Sequence, residues 1–212
     1  MSTLYFQNTR LDIQKHISAC STILEIGCAK GVLGKELKRK FPGLTYYGVD
    51  FHKPSLDFAK SNIDFTFWFD FNKSSLESFD DIAVNFSSKF DYIIFGDVLE
   101  HLISPIDVIL YFNKYLSDRG QIIISIPNIC HISVLSDLLI NRDFRYADEG
   151  ILDRTHLAFF TKKSFVRELV KIGFREPRVF YQNGWKSRFL SLIFGKWILD
   201  YFSRQIIYVL SK

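Results

Sequence analysis

Cysteine is scarce in this chain: Cys20, Cys28 and Cys130 are an odd number with no C-x-x-C spacing. That excludes a disulfide framework and a four-thiolate zinc site, and it fits a reducing, cytoplasmic setting. The N-terminus lacks a basic segment followed by an apolar run, so no secretory signal is expected. No stretch reaches the roughly 18 uninterrupted apolar residues of a spanning helix. Charge of one sign is also missing: 27 basic and 23 acidic residues are interspersed for a net +4, so no long-range field points to a nucleic-acid partner. Internal repeats, linkers and low-complexity tracts are absent.

What the chain does have is apolar mass. Of its 212 residues, 48% are hydrophobic, with 22 Phe and 10 Tyr. This is enough to bury a substantial core without a structural metal, and residues 1–212 are expected to form one domain. Leu4-Tyr5-Phe6-Gln7 looks like a protease-site scar from an expression tag, and residues 1–8 are set aside as tag remnant or disordered.

Apolar, β-rich runs alternate with helical periodicity, the pattern of βαβ units and a largely parallel sheet. Strands are expected at Thr22 to Gly27, Leu44 to Asp50, Phe65 to Asp70, Phe90 to Asp97 and Gln121 to Pro127. Each is nearly continuously apolar, as strands covered on both faces are. Helices are expected at Val32 to Lys40, Pro54 to Asn62, Pro105 to Leu116 and Thr161 to Ile172, with Pro54 and Pro105 suited to first turns. Arg178 to Tyr181 and Gln205 to Leu210 would close the sheet as an antiparallel pair.

The first strand runs into Glu25-Ile-Gly27-Cys28-Ala29-Lys-Gly31-Val-Leu-Gly34, where doubly wound sheets open a ligand crevice. Gly27 and Gly31 remove side chains from the ligand's path. Asp50 ends the second strand, where a carboxylate can accept bonds from both hydroxyls of a ribose. Asp70 ends the third, within reach of an adenine amino group, with Phe69 and Phe71 as apolar walls. Three acids at three successive strand ends address the amino-acid end, the ribose and the base of one nucleoside ligand. Cys28 reads as a small buried thiol in the loop rather than a nucleophile.

On these residues the chain resembles the class I S-adenosylmethionine-dependent methyltransferases, from about Ile23 to Leu210. The resemblance implies an α/β fold: a Rossmann-like seven-stranded sheet with helices on both faces and the last two strands antiparallel. The family's first loop reads acid-x-Gly-x-Gly-x-Gly, which Glu25, Gly27, Ala29 and Gly31 match at three of four places, Ala29 being the departure. It further implies that Asp50 holds the ribose, that Asp70 with Phe71 holds the adenine, that Gly96 and Asp97 lie beside the methionine end, and that Phe51 is also a cofactor-binding residue. A nicotinamide enzyme is disfavoured, since its fingerprint wants Gly at 29 and Glu25 would repel a pyrophosphate.

The fourth strand ends in Gly96-Asp97-Val-Leu-Glu100-His101, and the fifth is followed by Leu152-Asp153-Arg154-Thr155-His156-Leu-Ala-Phe-Phe-Thr161. Both stretches resemble methyltransferases of glycan and surface-polysaccharide biosynthesis. They are similar in outline to ubiquinone-pathway and small-RNA 2′-O-methyltransferases, in which such residues bind a divalent metal. Asp97, Glu100, His101 and His156 are the corresponding positions. If the acceptor is a hydroxyl its proton must be removed, and His156 or His101, with Asp153, would serve as base, or a bound divalent ion would lower the hydroxyl's pKa. Glu100 and His101 could instead cap the next helix, and Asp153 could pair with Arg154 to stabilise the loop.

The expected function is methylation of a sugar, glycan intermediate or other small molecule at O or N by in-line transfer. A non-catalytic cofactor-binding module and a metal-dependent RNA 2′-O-methyltransferase are the alternatives. Residues 183–204 form an aromatic and basic insertion with Leu190, Phe194, Trp197, Ile198 and Tyr201 along one helical stripe. It would pack on its own domain, dimerise through 184–204, or make a peripheral membrane contact there.

Overall fold

A computed structural model describes residues 9–182 and 185–211. The tag-like segment 1–8 and residues 183–184 of the insertion lie outside the described residues. The expected strands form one sheet: β1 (Thr22–Ile26), β2 (Thr45–Asp50), β3 (Phe65–Trp68), β4 (Phe90–Gly96), β5 (Leu116–Pro127), β6 (Arg178–Tyr181) and β7 (Gln205–Ser211). Their order is β3-β2-β1-β4-β5-β7-β6. β1 to β5 pair in parallel. β7 lies between β5 and β6 and runs antiparallel to both, so it is the strand that opposes the rest.

The helices are α1 (Leu11–Gln14), α2 (Val32–Lys40), α3 (Lys53–Ala59), α4 (Asp80–Ala83), α5 (Pro105–Asn113), α6 (Ile132–Ser136), α7 (Lys162–Lys171), α8 (Trp185–Phe194) and α9 (Leu199–Phe202). Strand periodicity divides the core into two layers. Leu24, Ile26, Ile93, Phe95, Ile122 and Ile124 face one cluster, completed by Val108, Ile109 and Phe112 of α5 and by Phe165 and Leu169 of α7. Ile23, Tyr92, Ile94 and Ile123 face the other, completed by Ile13 of α1, Leu33 and Leu37 of α2 and Leu56 and Ala59 of α3. Covered on both faces, the central strands carry apolar residues at consecutive positions rather than alternating ones.

Four boundaries differ from the sequence reading by more than one residue, the ends of three elements and the start of β5, each for a physical reason. The helix from Pro105 stops at Asn113, because Leu116 pairs with Phe90 and begins β5. The turn-type residues 117–120 then bulge, and pairing resumes at Gln121 opposite Tyr92. α3 ends at Ala59, and Asn62 turns back so that its side-chain amide donates to the Lys30 carbonyl at 2.8 Å. β3 ends at Trp68, which leaves Asp70 on the turn beyond it.

The insertion between β6 and β7 is helical but not one stripe. α8 ends before Gly195, whose φ of 89° breaks the helix, and a 3₁₀ turn at Lys196–Ile198 leads into α9. Ile198 and Leu199 are buried, whereas Phe194 and Trp197 are exposed. The base of the insertion is fixed by polar bonds. Asn128, just past β5, donates to the carbonyls of Asp200 (2.7 Å) and Ser203 (2.9 Å). The Asp200 carboxylate accepts from Lys162 at 2.7 Å and from the Tyr181 hydroxyl.

Candidate functional site

The strand order turns back on either side of β1, which pairs with β2 on one side and β4 on the other. Helices leaving these strands lie on opposite faces, so a crevice opens where the strands end. It forms a cleft of about 730 Å³. Glu25, Gly27, Cys28, Ala29, Asp50, Phe51, Asp70, Phe71, Gly96 and Asp97 all line it, as do His101, Thr155 and Leu157. Gly31 does not: it is the N-cap of α2, packed toward Ala59 and Ile63.

The loop after β1 needs left-handed backbone three times, at Gly27, Ala29 and the N-cap Gly31 (φ 69°). Gly27 has φ 78°, and a Cβ there would sit 3.0 Å from Val98. Ala29 has φ 46°, a conformation that costs an alanine about 1–2 kcal/mol. A strong bond holds it, the Ala29 N–H donating to Asp50 Oδ2 at 2.8 Å. Asp50 Oδ1 accepts from the His52 N–H at 2.8 Å. Burial raises the Asp50 carboxyl, against the pull of these two N–H groups. Each of its oxygens carries a second lone pair for a ligand.

Further along the rim, Phe51 is 61% exposed, an apolar ring offered at the cleft edge. Asp70 Oδ1 accepts from the Asn72 N–H at 3.1 Å, and Oδ2 lies 3.3 Å from Lys73 Nζ. Phe71 is anchored in the core against Phe69 and Phe112, with ring centroids 4.7 and 5.7 Å away. The acids at 25, 50 and 70 thus share one cleft.

The sequence reading missed Arg10. It sits before α1 in the left-handed region (φ 52°) and lines the cleft opposite the β4 end. Its Nη1 donates to Asp97 Oδ2 at 2.8 Å, while Nε and Nη2 grip Asp12 at 3.2 and 3.1 Å. No periodicity or glycine pattern marks it, and only its contact with Asp97, 87 positions away, brings it to the site. Asp97 Oδ1 accepts from Ser125 Oγ at 2.8 Å and from Gln205 Nε2 at 2.6 Å. These partners draw Asp97 away from the histidine cluster, so among the described residues it does not join Glu100, His101 and His156 as a fourth metal ligand.

The segment after Gly150 folds back onto the 3₁₀ turn Leu99–His101, with the N–H groups of Leu157 and Ala158 donating to the Glu100 carbonyl at 2.7 and 3.0 Å. His101 lies on the cleft wall, its Nδ1 3.2 Å from the Thr155 carbonyl and 3.1 Å from Thr155 Oγ1. His156 is buried beside it, off the wall, with ring centroids 4.8 Å apart. Its Nδ1 is 2.9 Å from the Ile151 carbonyl. A carbonyl only accepts, so each Nδ1 carries the hydrogen and each Nε2 keeps its lone pair in the neutral ring. Burial lowers the His156 pKa, against the Ile151 bond, which keeps that ring neutral.

Asp153 is bound into its own turn, accepting from the Thr155 N–H at 2.8 Å and hydroxyl at 2.6 Å. Burial pushes its carboxyl up, but these bonds outweigh that and hold it below the usual range. Arg154 pairs with Asp148 at 3.1 Å rather than with Asp153. Glu100 and His101 do not cap α5: they form a turn of their own, and Glu100 Oε2 is buried without a hydrogen-bond partner. Burial, then the neighbouring Asp97 charge, raises the Glu100 carboxyl well above its ordinary value.

A seven-stranded sheet of this order, with an acid-lined cleft at its carboxyl edge, has the fold of the class I S-adenosylmethionine-dependent methyltransferases. The chain belongs to the family described as "Methyltransferase domain", whose profile matches residues 7–176.

Solved structures of similar fold include the plantazolicin methyltransferase BamL with a desmethyl analogue and SAH (20% identity, 99% of this chain and 81% of that one, TM-score 0.60). Others are an S-adenosylmethionine-dependent methyltransferase from Mesorhizobium loti (12%, 95% and 96%, 0.64) and the magnesium protoporphyrin IX methyltransferase of Synechocystis PCC 6803 with SAH (17%, 95% and 78%, 0.57). At such identities the likeness is one of fold. No curated protein matches the chain in sequence.

Glu25, at the inner end of the cleft, yields a prediction on stability. Burial pushes its carboxyl from 4.5 up to about 7, opposed by the bond from the Tyr46 hydroxyl (2.8 Å) and by the Arg10 charge. The folded value lies above the unfolded one, so its contribution is full below about 4.5 and is lost as pH rises through about 7. Glu25→Gln should therefore gain stability over the parent between about pH 5 and pH 8, on the order of 1–3 kcal/mol, in urea unfolding of ligand-free protein. A difference that stays flat with pH would show that Glu25 does not bury a charge.

Proposed function

We propose that residues 1–212 act as one methyltransferase domain that binds S-adenosylmethionine across the strand ends. Asp50 accepts from the ribose hydroxyls, Phe51 and Phe71 flank the adenine, and Asp70 takes its amino group. Glu25, Gly27, Cys28, Ala29, Gly96 and Asp97 surround the methionine portion. The observation that carries this reading is that acids from three strand ends and the Gly27 turn line one cleft, with His101 on the same wall. Arg10 is the cation at the amino-acid end, and its planar fork suits the cofactor's carboxylate, while Glu25 and Asp97 suit its ammonium.

Thermal-shift and calorimetric titration test both parts. The parent should bind S-adenosylhomocysteine and methylthioadenosine but not NAD. Arg10→Gln should lose about tenfold or more for S-adenosylhomocysteine while keeping methylthioadenosine, which lacks the amino-acid carboxylate. If the parent binds neither nucleoside, the cofactor reading falls; if Arg10→Gln weakens both ligands equally, the carboxylate assignment falls.

In the reaction an acceptor lone pair attacks the sulfonium methyl carbon. The new bond forms as the carbon–sulfur bond breaks, and its electrons return to sulfur, giving the neutral thioether. Alignment of the two centres supplies much of the acceleration. We place His101 as the base that takes the acceptor's proton at Nε2, with the Thr155 carbonyl fixing its tautomer and Asp153 holding Thr155 in place. His156, buried beside it, orients the cluster. The acceptor is a sugar or glycan intermediate or another small molecule with a hydroxyl or amine. His101→Ala should lower kcat toward a hydroxyl acceptor by about 10² to 10⁴ with little change in KM for the cofactor. Unchanged kcat across acceptors that are turned over would remove His101 as base.

A divalent ion is a second reading, favoured by the orphaned Glu100 Oε2. Glu100, His101 and His156 bring one ligand atom each within 4.8 Å of one another. Two imidazoles and a carboxylate, each imidazole fixed through Nδ1, suit a first-row transition ion better than calcium or magnesium. Bound there, such an ion would make an acceptor hydroxyl more acidic. Calorimetric titration of the parent with Mn²⁺ or Co²⁺ should show one site that Glu100→Gln abolishes. An absence of heat in the parent would remove the ion from the site.

A further inference from the structure

The carboxyl edge of the sheet carries two apolar excursions that the cleft does not use. One is the insertion before β7, in which Leu192 is 84% exposed, Trp197 62%, and Phe189 and Ile193 59%. The other follows β5: a π-helical turn, Asp137–Asn141, holds Leu139 and Ile140 at 77% and 76% exposure. They leave the sheet side by side. Pro127 pairs with Gln205 across β5 and β7, and the Asn128 side chain joins the root of one to the carbonyls at the root of the other. The cleft opens on this same edge, since it is lined from the carboxyl ends of β1, β2 and β4.

Side chains this exposed stand out from the surface instead of walling a groove, and clusters of them mark contact with another phase or molecule. The insertion is also cationic. The sequence of 183–204 holds four basic residues and one acid, Asp200, whose carboxylate already accepts from Lys162 and Tyr181, and Lys196 and Arg204 are exposed. The charge is the insertion's alone, since 137–149 after β5 holds four acids and two arginines. A second copy docked through a two-fold axis would set this basic segment against itself. A fluid anionic lipid surface meets both properties at once. Its acyl boundary takes up protruding apolar side chains of irregular outline, and its headgroups match the positive charge. No helix of the described residues is long and apolar enough to cross a membrane, so the contact is peripheral.

We infer that the two excursions together form a membrane-docking surface for anionic bilayers, which holds the cleft mouth at the lipid and selects acceptors presented there. The choice of acceptor rests on the methyltransferase reading, but the docking does not. Co-sedimentation of the full chain with vesicles tests it. The chain should sediment with phosphatidylcholine vesicles containing about 30% phosphatidylglycerol and not with pure phosphatidylcholine, and about 0.5 M salt should weaken it. Leu192→Asp with Ile193→Asp, and separately Leu139→Asp with Ile140→Asp, should each reduce partitioning by about tenfold or more while circular dichroism stays native. Lys196→Glu should weaken binding to the anionic vesicles alone.

No sedimentation with anionic vesicles, or variants that partition like the parent, would overturn the inference. So would a parent that runs as a dimer in light scattering and is dispersed by Leu192→Asp, since a second copy would then cover the surface. Binding of S-adenosylhomocysteine, measured on the same samples, reports separately on the cofactor reading.

Discussion

Asp97 is the joint on which the site is assembled. It sits just past the carboxyl end of β4 in left-handed backbone, and three other parts of the chain meet on its two oxygens: Arg10 ahead of α1, Ser125 of β5 and Gln205 at the start of β7. Charge-assisted bonds of 2.6 to 2.8 Å in a partly buried setting are strong and directional. They fix the N-terminal segment over the cleft and tie the antiparallel strand to the parallel ones. The other carboxyls at this end of the site, Glu25 and Glu100, have fewer partners.

Those neighbours show how one rim can crowd five acids. Asp97 is held by Arg10 and two neutral donors, and Asp50 leans on two backbone N–H groups. Glu25 and Glu100 have less help, and burial raises both. Of the two, Glu25 lines the cleft, so a ligand that brings positive charge there meets a carboxyl able to give up a proton and answer it. The electrostatics of the site therefore favour a cationic guest, and the sulfonium and ammonium of S-adenosylmethionine are both cationic.

Much of this was legible in the residues because the fold converts sequence position into place. Glu25, Asp50 and Asp97 end apolar runs, and in a parallel sheet all such ends share an edge. Asp70 was found the same way, although β3 stops two residues short of it. What stayed hidden depends on long-range contact. Arg10 lies in a short segment without a repeat, and Ser125 and Gln205 meet Asp97 only because β7 pairs with β5. Gly31 fits the loop pattern but caps α2, since spacing does not say which glycine approaches a ligand and which turns a helix. The histidines were visible as a motif, yet only folding shows that His101 meets the cleft while His156 stands behind.

The position of β7 has one more consequence, which concerns the order of events during synthesis. A chain emerging from the ribosome presents its N-terminal elements first, so β1 to β5 can pair before β7 is made, while β6, which pairs only with β7, has no place in the sheet. The β5 edge then exposes Ile122 to Ile126 with its backbone groups unmatched. That edge is covered when the segment containing Gln205 to Ser211 arrives, and the same event delivers Gln205 to Asp97. Closing the sheet and completing the wall around Asp97 are thereby one event, so a chain in which β7 has not docked lacks both.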